Sequence, residues 1–284
     1  MSKKNKGRGG VIQIYAPTER IRELLDGKTY IAETLNKEIL DELGFFVLRS
    51  AISTERAEHY LQSYKKMLQD GILKRSEFHS TEVKISHVED FNDLVDQPGL
   101  KTVWPNFYGG QVASSFQRII SKYKDSPAPV ILHQDTSYQF GDFEQYSLFT
   151  ALTECDKNNG GLKLYPGTSK LGYLADAGAL NAEVLPSDLP ICCPKLNPGD
   201  ILIMHSATWH FSDSYLKGEE RIYLEIHIVS SHSPFAQKNI AGASPTGGWK
   251  VEFDLVEREE SNFFVQSRSQ RLKEALEKLS KLDA

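Results

Sequence analysis

The stretch Val130-Ile131-Leu132-His133-Gln134-Asp135 is an apolar run that ends in a histidine and an aspartate one residue apart. In an extended strand alternate side chains share a face. The spacing therefore sets the His133 imidazole and the Asp135 carboxylate side by side, able to grip one metal ion. Two nitrogens and one carboxylate on one side of a metal leave its other positions open. The chain must then supply a second histidine from a strand that pairs nearby.

That histidine is expected in Gly199-Asp-Ile-Leu-Ile-Met204-His205-Ser-Ala-Thr-Trp-His210-Phe-Ser212, where an apolar strand leaves a Pro-Gly turn and a loop leads to His210. Arg221 follows eleven residues later and opens the run Arg-Ile-Tyr-Leu-Glu-Ile-His-Ile. His205 is the rival to His210. The position of Arg221 and Ser212 relative to His210 decides between them and leaves His205 as a pocket residue or a satisfied core histidine. A second pair, His87-Val-Glu89, has no apolar strand before it and reads as solvated.

From Val112 onward short β-rich runs alternate with Gly, Pro and Asn turns, with strands expected at 112–122, 129–134, 146–153, 161–165, 183–185, 200–204 and 221–229. Many short strands with turn signals between them suggest a sandwich or barrel rather than βαβ units. The expected fold is mainly β with flanking helices around a double-stranded β-helix, the jelly-roll or cupin-like core. Before this core, Thr34–Leu43 reads as a helix capped by Thr34 and stopped by Gly44. Phe45–Arg49 reads as a strand, and a second helix capped by Ser53 buries Ala57, Tyr60, Leu61, Tyr64 and Met67. The expected organisation is a flexible basic tail over 1–12 and one domain over 13–284. Within it lie a helical part over 13–110, the core over 111–232, a lid or loop over 233–262 and a helix over 264–282.

Composition excludes several classes. The 284 residues carry a net charge of −5, and no basic block of nucleic-acid character follows the first ten residues. The three cysteines, two of them adjacent, make no disulfide framework or zinc spacing, which suits a reducing, cytoplasmic setting. No stretch is long and apolar enough to cross a membrane.

The sequence resembles the phytanoyl-CoA dioxygenase (PhyH) family of Fe(II)/2-oxoglutarate oxygenases. The resemblance rests on His133-Gln-Asp135, on Asn158-Asn-Gly-Gly-Leu-Lys-Leu-Tyr-Pro-Gly-Thr-Ser-Lys170, and on Gly199-Asp200 through His210-Phe-Ser212 to Arg221. It implies that His133, Asp135 and His210 bind iron and that Arg221 pairs with the distal carboxylate of 2-oxoglutarate. Guanidinium and carboxylate are planar forks that meet bidentately and stay ionised. The resemblance also places Ser212 as a donor to that carboxylate, Gln117 as a polar cosubstrate contact and Phe149 as an aromatic wall. Tyr138 and Phe140, with His205 and Trp209, are the residues expected nearest a substrate. The implied activity is hydroxylation of a C–H bond in a small molecule, using O2 and releasing succinate and CO2. Asp135 fills the place where halogenating relatives have a small residue. Two alternatives keep the fold: a non-redox metal isomerase or hydrolase, and a non-catalytic binding protein.

Overall fold

The computed structural model describes residues 18–73, 81–84, 89–124, 129–135, 144–172, 189–233 and 235–244. The expected tail over 1–12, the strand at 183–185, the C-terminal helix, Tyr138, Phe140 and His87 lie outside the described residues. Helices α1 (Glu19–Asp26), α2 (Lys37–Leu43) and α3 (Thr54–Gln69) come early, with strands β1 (Ile31–Ala32) and β2 (Phe45–Leu48) between them. Strand β3 (Thr81–Lys84) and the one-turn helix α4 (Pro98–Lys101) lead into β4 (Val112–Lys122). Then follow β5 (Val130–His133), β6 (Tyr146–Ala151), β7 (Lys163–Leu164) and β8 (Ile201–His205). Strands β9 (His210–Ser212), β10 (Arg221–Ser230) and β11 (Lys238–Ala241) complete the described core.

Among the described residues the strands form two sheets. The larger runs β1-β2-β8-β6-β10-β4-β11, with β3 also on β4, and the smaller runs β5-β9-β7. This is the jelly roll, mostly antiparallel, with His133 and His210 in the small sheet. The N-terminal part carries, between its helices, the strand expected at Phe45–Arg49. Phe45–Leu48 pairs residue for residue with Met204–Ile201, so β2 widens the large sheet. The lid expected over 233–262 likewise begins with β11, which pairs with β4.

Local chemistry explains the early elements. Ser53 caps α3 by accepting from the Arg56 amide, and the five expected apolar residues are buried. The α2 cap is Asn36 rather than Thr34: the Asn36 side chain accepts from the Ile39 amide, and the helix starts two residues later than the cap at Thr34 implies. Gly44 ends α2 at φ 80, and a Cβ there would lie 2.5 Å from Thr208 Oγ1. The Gly44 carbonyl takes the His205 amide at 2.8 Å and the Thr208 hydroxyl at 2.9 Å, which ties this corner to the loop that delivers His210.

The outer face of the large sheet packs under α3 and the Phe91–Phe107 segment in one apolar cluster that includes Tyr60, Phe91, Trp104, Ile119 and Leu224. Its inner face looks toward the small sheet. Cys155 and Cys192 are buried, Cys193 is half-buried, and all three are free thiols. Among the described residues no helix is long and apolar enough to cross a membrane.

Candidate metal centre

His133 ends β5 and His210 opens β9, and the two are direct partners across the small sheet. Their ring centroids are 4.1 Å apart. Asp135, two residues beyond β5, places Oδ1 at 3.6 Å from His133 Nε2 and 3.5 Å from His210 Nε2. One ligand atom from each of the three lies within 4.8 Å of the others. Sequence spacing thus brings together the residues it named.

The nitrogens that face the centre are held ready. His133 Nδ1 lies 2.7 Å from the Ile131 carbonyl and His210 Nδ1 lies 2.9 Å from the Thr208 carbonyl. A carbonyl can only accept, so each Nδ1 carries a proton and each ring turns its Nε2 toward Asp135. Between the ligands, Gln134 is buried and donates to the Gly172 and Ala207 carbonyls at 2.7 Å each. Asp135 is anchored by Ser147 of β6, whose hydroxyl donates to Oδ2 at 2.9 Å. That bond crosses from the large sheet to the small one.

Burial works to raise the Asp135 carboxyl, but His210, His133 and His227 outweigh it and hold the group ionised well below the carboxylate range. Burial and then the neighbouring His133 push His210 down to about 4. Burial also opposes charge on His133, while its bond to Asp135 raises it. A buried anion against two imidazole nitrogens is a donor set that a divalent cation fits, since the cation supplies the missing charge.

Strand β10 lines the inner wall. Arg221, Tyr223, Glu225 and His227 alternate onto one face, and in register Phe149 of β6 faces Glu225 while Ser147 faces His227. Phe149 therefore sits on the inner wall, edge-on to Tyr223 at 5.8 Å. Glu225 is fully buried, paired with Arg118 Nε and 2.5 Å from His227 Nε2. Asp135, Glu225 and His227 also have ligand atoms within 4.8 Å of one another. Arg118 neutralises Glu225, so this second cluster forms a polar wall beside the first.

Arg221 is 2 % exposed. Its guanidinium stacks on Tyr223 at 4.7 Å, and Nη1 donates to the Gly160 carbonyl at 2.9 Å. Nε and Nη2 are buried with no hydrogen-bond partner among the described residues. An unpaired buried donor on a cation is costly unless a ligand completes it. Opposite Arg221 in register stands Lys122 of β4, itself fully buried. Lys122 Nζ donates to Ser212 Oγ at 2.8 Å, to the Ser212 carbonyl at 3.2 Å and to the Asp213 carbonyl. Burial and then the Arg221 charge push this amine down to about 7.

Three expected contacts fall elsewhere. Gln117 pairs with Ile226, on the face opposite Glu225, and its amide donates to the Phe91 carbonyl at 3.4 Å in the outer layer. Its neighbour Arg118 is the residue on the inner wall. His205 alternates outward from Met204, accepts from the Ala207 amide at 3.0 Å and packs edge-on to Tyr146 at 5.2 Å. Trp209 points away from His210 into a cluster with Leu132, Tyr165 and Leu189. Neither lines the centre. The family-like segment Asn158–Lys170 also acts structurally. Asn159 ties the Glu154 and Glu219 carbonyls, and Thr168 Oγ1 bridges the Tyr165 carbonyl and the Trp209 amide. Ser147, Arg118 and Lys122 were not expected, because no motif marks them and only strand pairing reveals their face.

In this jelly roll two histidines and a carboxylate meet beside the small sheet, a donor set that could hold a metal ion, and a buried arginine stands on the inner face of β10. The chain belongs to the phytanoyl-CoA dioxygenase (PhyH) family, whose sequence model matches residues 18–219. Its fold is similar to that of the epimerase SnoN, solved in complex with Fe3+, alpha ketoglutarate and nogalamycin RO (TM-score 0.61, 16 % identity, 74 % of this chain and 91 % of that one). It is also similar to the non-heme alpha ketoglutarate dependent carbocyclase SnoK from nogalamycin biosynthesis (0.60, 17 %, 71 % and 86 %). EctD from S. alaskensis matches comparably (0.61, 18 %, 74 % and 81 %). No curated protein matches the sequence.

Proposed function

We propose that the protein is an Fe(II)/2-oxoglutarate-dependent dioxygenase that hydroxylates a C–H bond of a small polar metabolite. One observation carries the reading. A three-ligand facial centre stands on the same inner surface as a fully buried arginine with two donors that have no partner among the described residues. A non-redox metal enzyme has no need of that arginine, whereas a dicarboxylate cosubstrate completes it.

His133, Asp135 and His210 would hold the iron. Arg221 would take the distal carboxylate of 2-oxoglutarate through Nε or Nη2, with Ser212 beside it. Iron with this cosubstrate and O2 supplies the oxidation, in which one oxygen atom goes to the substrate and succinate and CO2 are released. The protein's part is positional. Ser147 and the two backbone carbonyls fix the ligands, Phe149 and Tyr223 wall the cavity, and Asp135 stays ionised. Asp135 would serve as the carboxylate ligand where halogenating relatives have a small residue, which argues against halogenation. The polar wall of Arg118, Glu225 and His227 supports a substrate with hydrogen-bonding groups rather than a bare hydrocarbon.

Aerobic incubation with Fe(II), 2-oxoglutarate and a panel of metabolites tests this. A substrate is expected to raise succinate release and to gain one oxygen atom by mass, and Asp135→Ala is expected to abolish both. A product unchanged in mass or lighter by two hydrogens would replace hydroxylation with epimerisation or ring closure. Equal succinate release by Asp135→Ala would overturn the site.

A further inference from the structure

Ser212 and Arg221 face the same buried space, yet the residue that joins them is Lys122. An ammonium has three donors and no acceptor. The three N–H groups of Lys122 meet three oxygens: the Ser212 hydroxyl, the Ser212 carbonyl and the Asp213 carbonyl. Lys122 therefore spends its hydrogen bonds on the protein and has none left for a ligand. The Ser212 hydroxyl, in turn, meets only Lys122 among the described residues. An ammonium cannot accept, so with Lys122 in its charged form the Ser212 proton points onward.

The surroundings are built for this arrangement. Gly160, at φ 81, would bring a Cβ to 2.5 Å from Lys122 Cδ and 2.9 Å from the Asp213 carbonyl, and its own carbonyl holds Arg221 Nη1. The Asn158–Gly161 turn thus packs against both cations at once. Lys163 pairs with the Asp213 side chain and holds from outside the backbone that Lys122 holds from inside.

We propose that Lys122 is a positioning residue of the anchor. It fixes the Ser212 hydroxyl as a donor beside Arg221 and adds a second positive charge there, so that the pocket selects 2-oxo acids that carry a distal carboxylate. The inference rests on the cosubstrate reading of Arg221. It goes further in assigning a residue that touches neither metal nor ligand to the discrimination between acids.

The test compares two acids of equal length in the anaerobic Fe(II)-loaded protein by calorimetry: 2-oxoglutarate, and 2-oxopentanoate, which has a methyl group where the former has its distal carboxylate. Lys122→Met is expected to weaken 2-oxoglutarate by about tenfold or more, the worth of a hydrogen bond to a charged group, and to leave 2-oxopentanoate unchanged. Ser212→Ala is expected to weaken 2-oxoglutarate by a similar factor. If Lys122 acts mainly through Ser212, the double variant should lose much less than the product of the two single losses. Two results would each overturn the proposal: unchanged 2-oxoglutarate affinity in Ser212→Ala, or equal weakening of both acids in Lys122→Met. Ser212→Ala keeps the test decisive should Lys122→Met fail to fold. Arg221→Met separates the two levels. If it leaves 2-oxoglutarate affinity unchanged, the anchor reading itself fails. If it weakens 2-oxoglutarate while Lys122→Met does not, only the role of Lys122 fails.

Discussion

At the scale of single residues the account turns on how few atoms hold the centre. Among the described residues, Ser147 Oγ is the side chain that donates to Asp135 Oδ2, the oxygen not turned to the histidines. Partners of this kind typically contribute 10- to 100-fold in metal affinity. Ser147→Ala is therefore expected to weaken Fe(II) or Mn(II) binding by about that factor, read by metal titration, with no change in fold by circular dichroism. Gly160→Ala would behave differently. Its φ of 81 and its 2.5 Å approach to Lys122 strain the anchor rather than the ligands. Left-handed backbone costs an L-residue about 1–2 kcal/mol before any clash. The expected result is weakened 2-oxoglutarate binding with metal affinity retained, measured on the same preparation. The three candidate metal ligands were legible in the sequence because an apolar run leads into His133-Gln-Asp135 and because His210, Ser212 and Arg221 follow at a consistent spacing. Ser147 and Lys122 were not, since a lone serine in an apolar strand and a lysine at a strand end look like packing and solvated surface until a partner strand is placed beside them.

At the scale of elements, parity decides what can be read. Helix α3 was legible, cap and stripe, because its periodicity repeats over sixteen residues. Strand β9 was taken as the far side of a loop because three residues, His-Phe-Ser, carry no periodicity. In β4 the cosubstrate contact was assigned to Gln117, and a shift of one residue moves a side chain to the other face of the sheet. The inner residue is Arg118, whose pairing with Glu225 gives β10 a measurable pH signature. Burial works to raise the Glu225 carboxyl, but Arg118 and then His227 outweigh it, so the folded group titrates below its unfolded value. A carboxyl depressed in this way contributes stability above its unfolded pKa of about 4.3 and loses it as pH falls through the lower folded value. Glu225→Gln should therefore melt at lower temperature than the parent at pH 7. The gap should narrow as the pH falls below about 4. A gap independent of pH would mean that Glu225 is not held ionised. The turn at Gly44 gives a simpler case. Gly44→Ala meets Thr208 Oγ1 at 2.5 Å with φ 80 and should lower the melting temperature, and because the Thr208 carbonyl orients His210 it should weaken metal binding as well.

At the scale of the whole molecule, the metal centre and the anchor belong to both sheets at once. Ser147 reaches from the large sheet to Asp135 beside the small one, and Lys122 reaches from the large sheet to Ser212 in it. The jelly roll was legible as a class because many short strands were punctuated by turns. The joining of β2 to β8 and of β11 to β4 was not, since pairing between distant segments leaves no local mark in a sequence. The central claim is that one cavity holds an iron and a 2-oxo diacid together. Its most direct test is anaerobic titration of 2-oxoglutarate into the Fe(II)-loaded protein, followed by visible absorption. A weak charge-transfer band is expected to grow and saturate in the parent, to be absent in Asp135→Ala, and to appear in Arg221→Met only at much higher 2-oxoglutarate. No band in the parent, or an identical titration in Arg221→Met, would contradict the account.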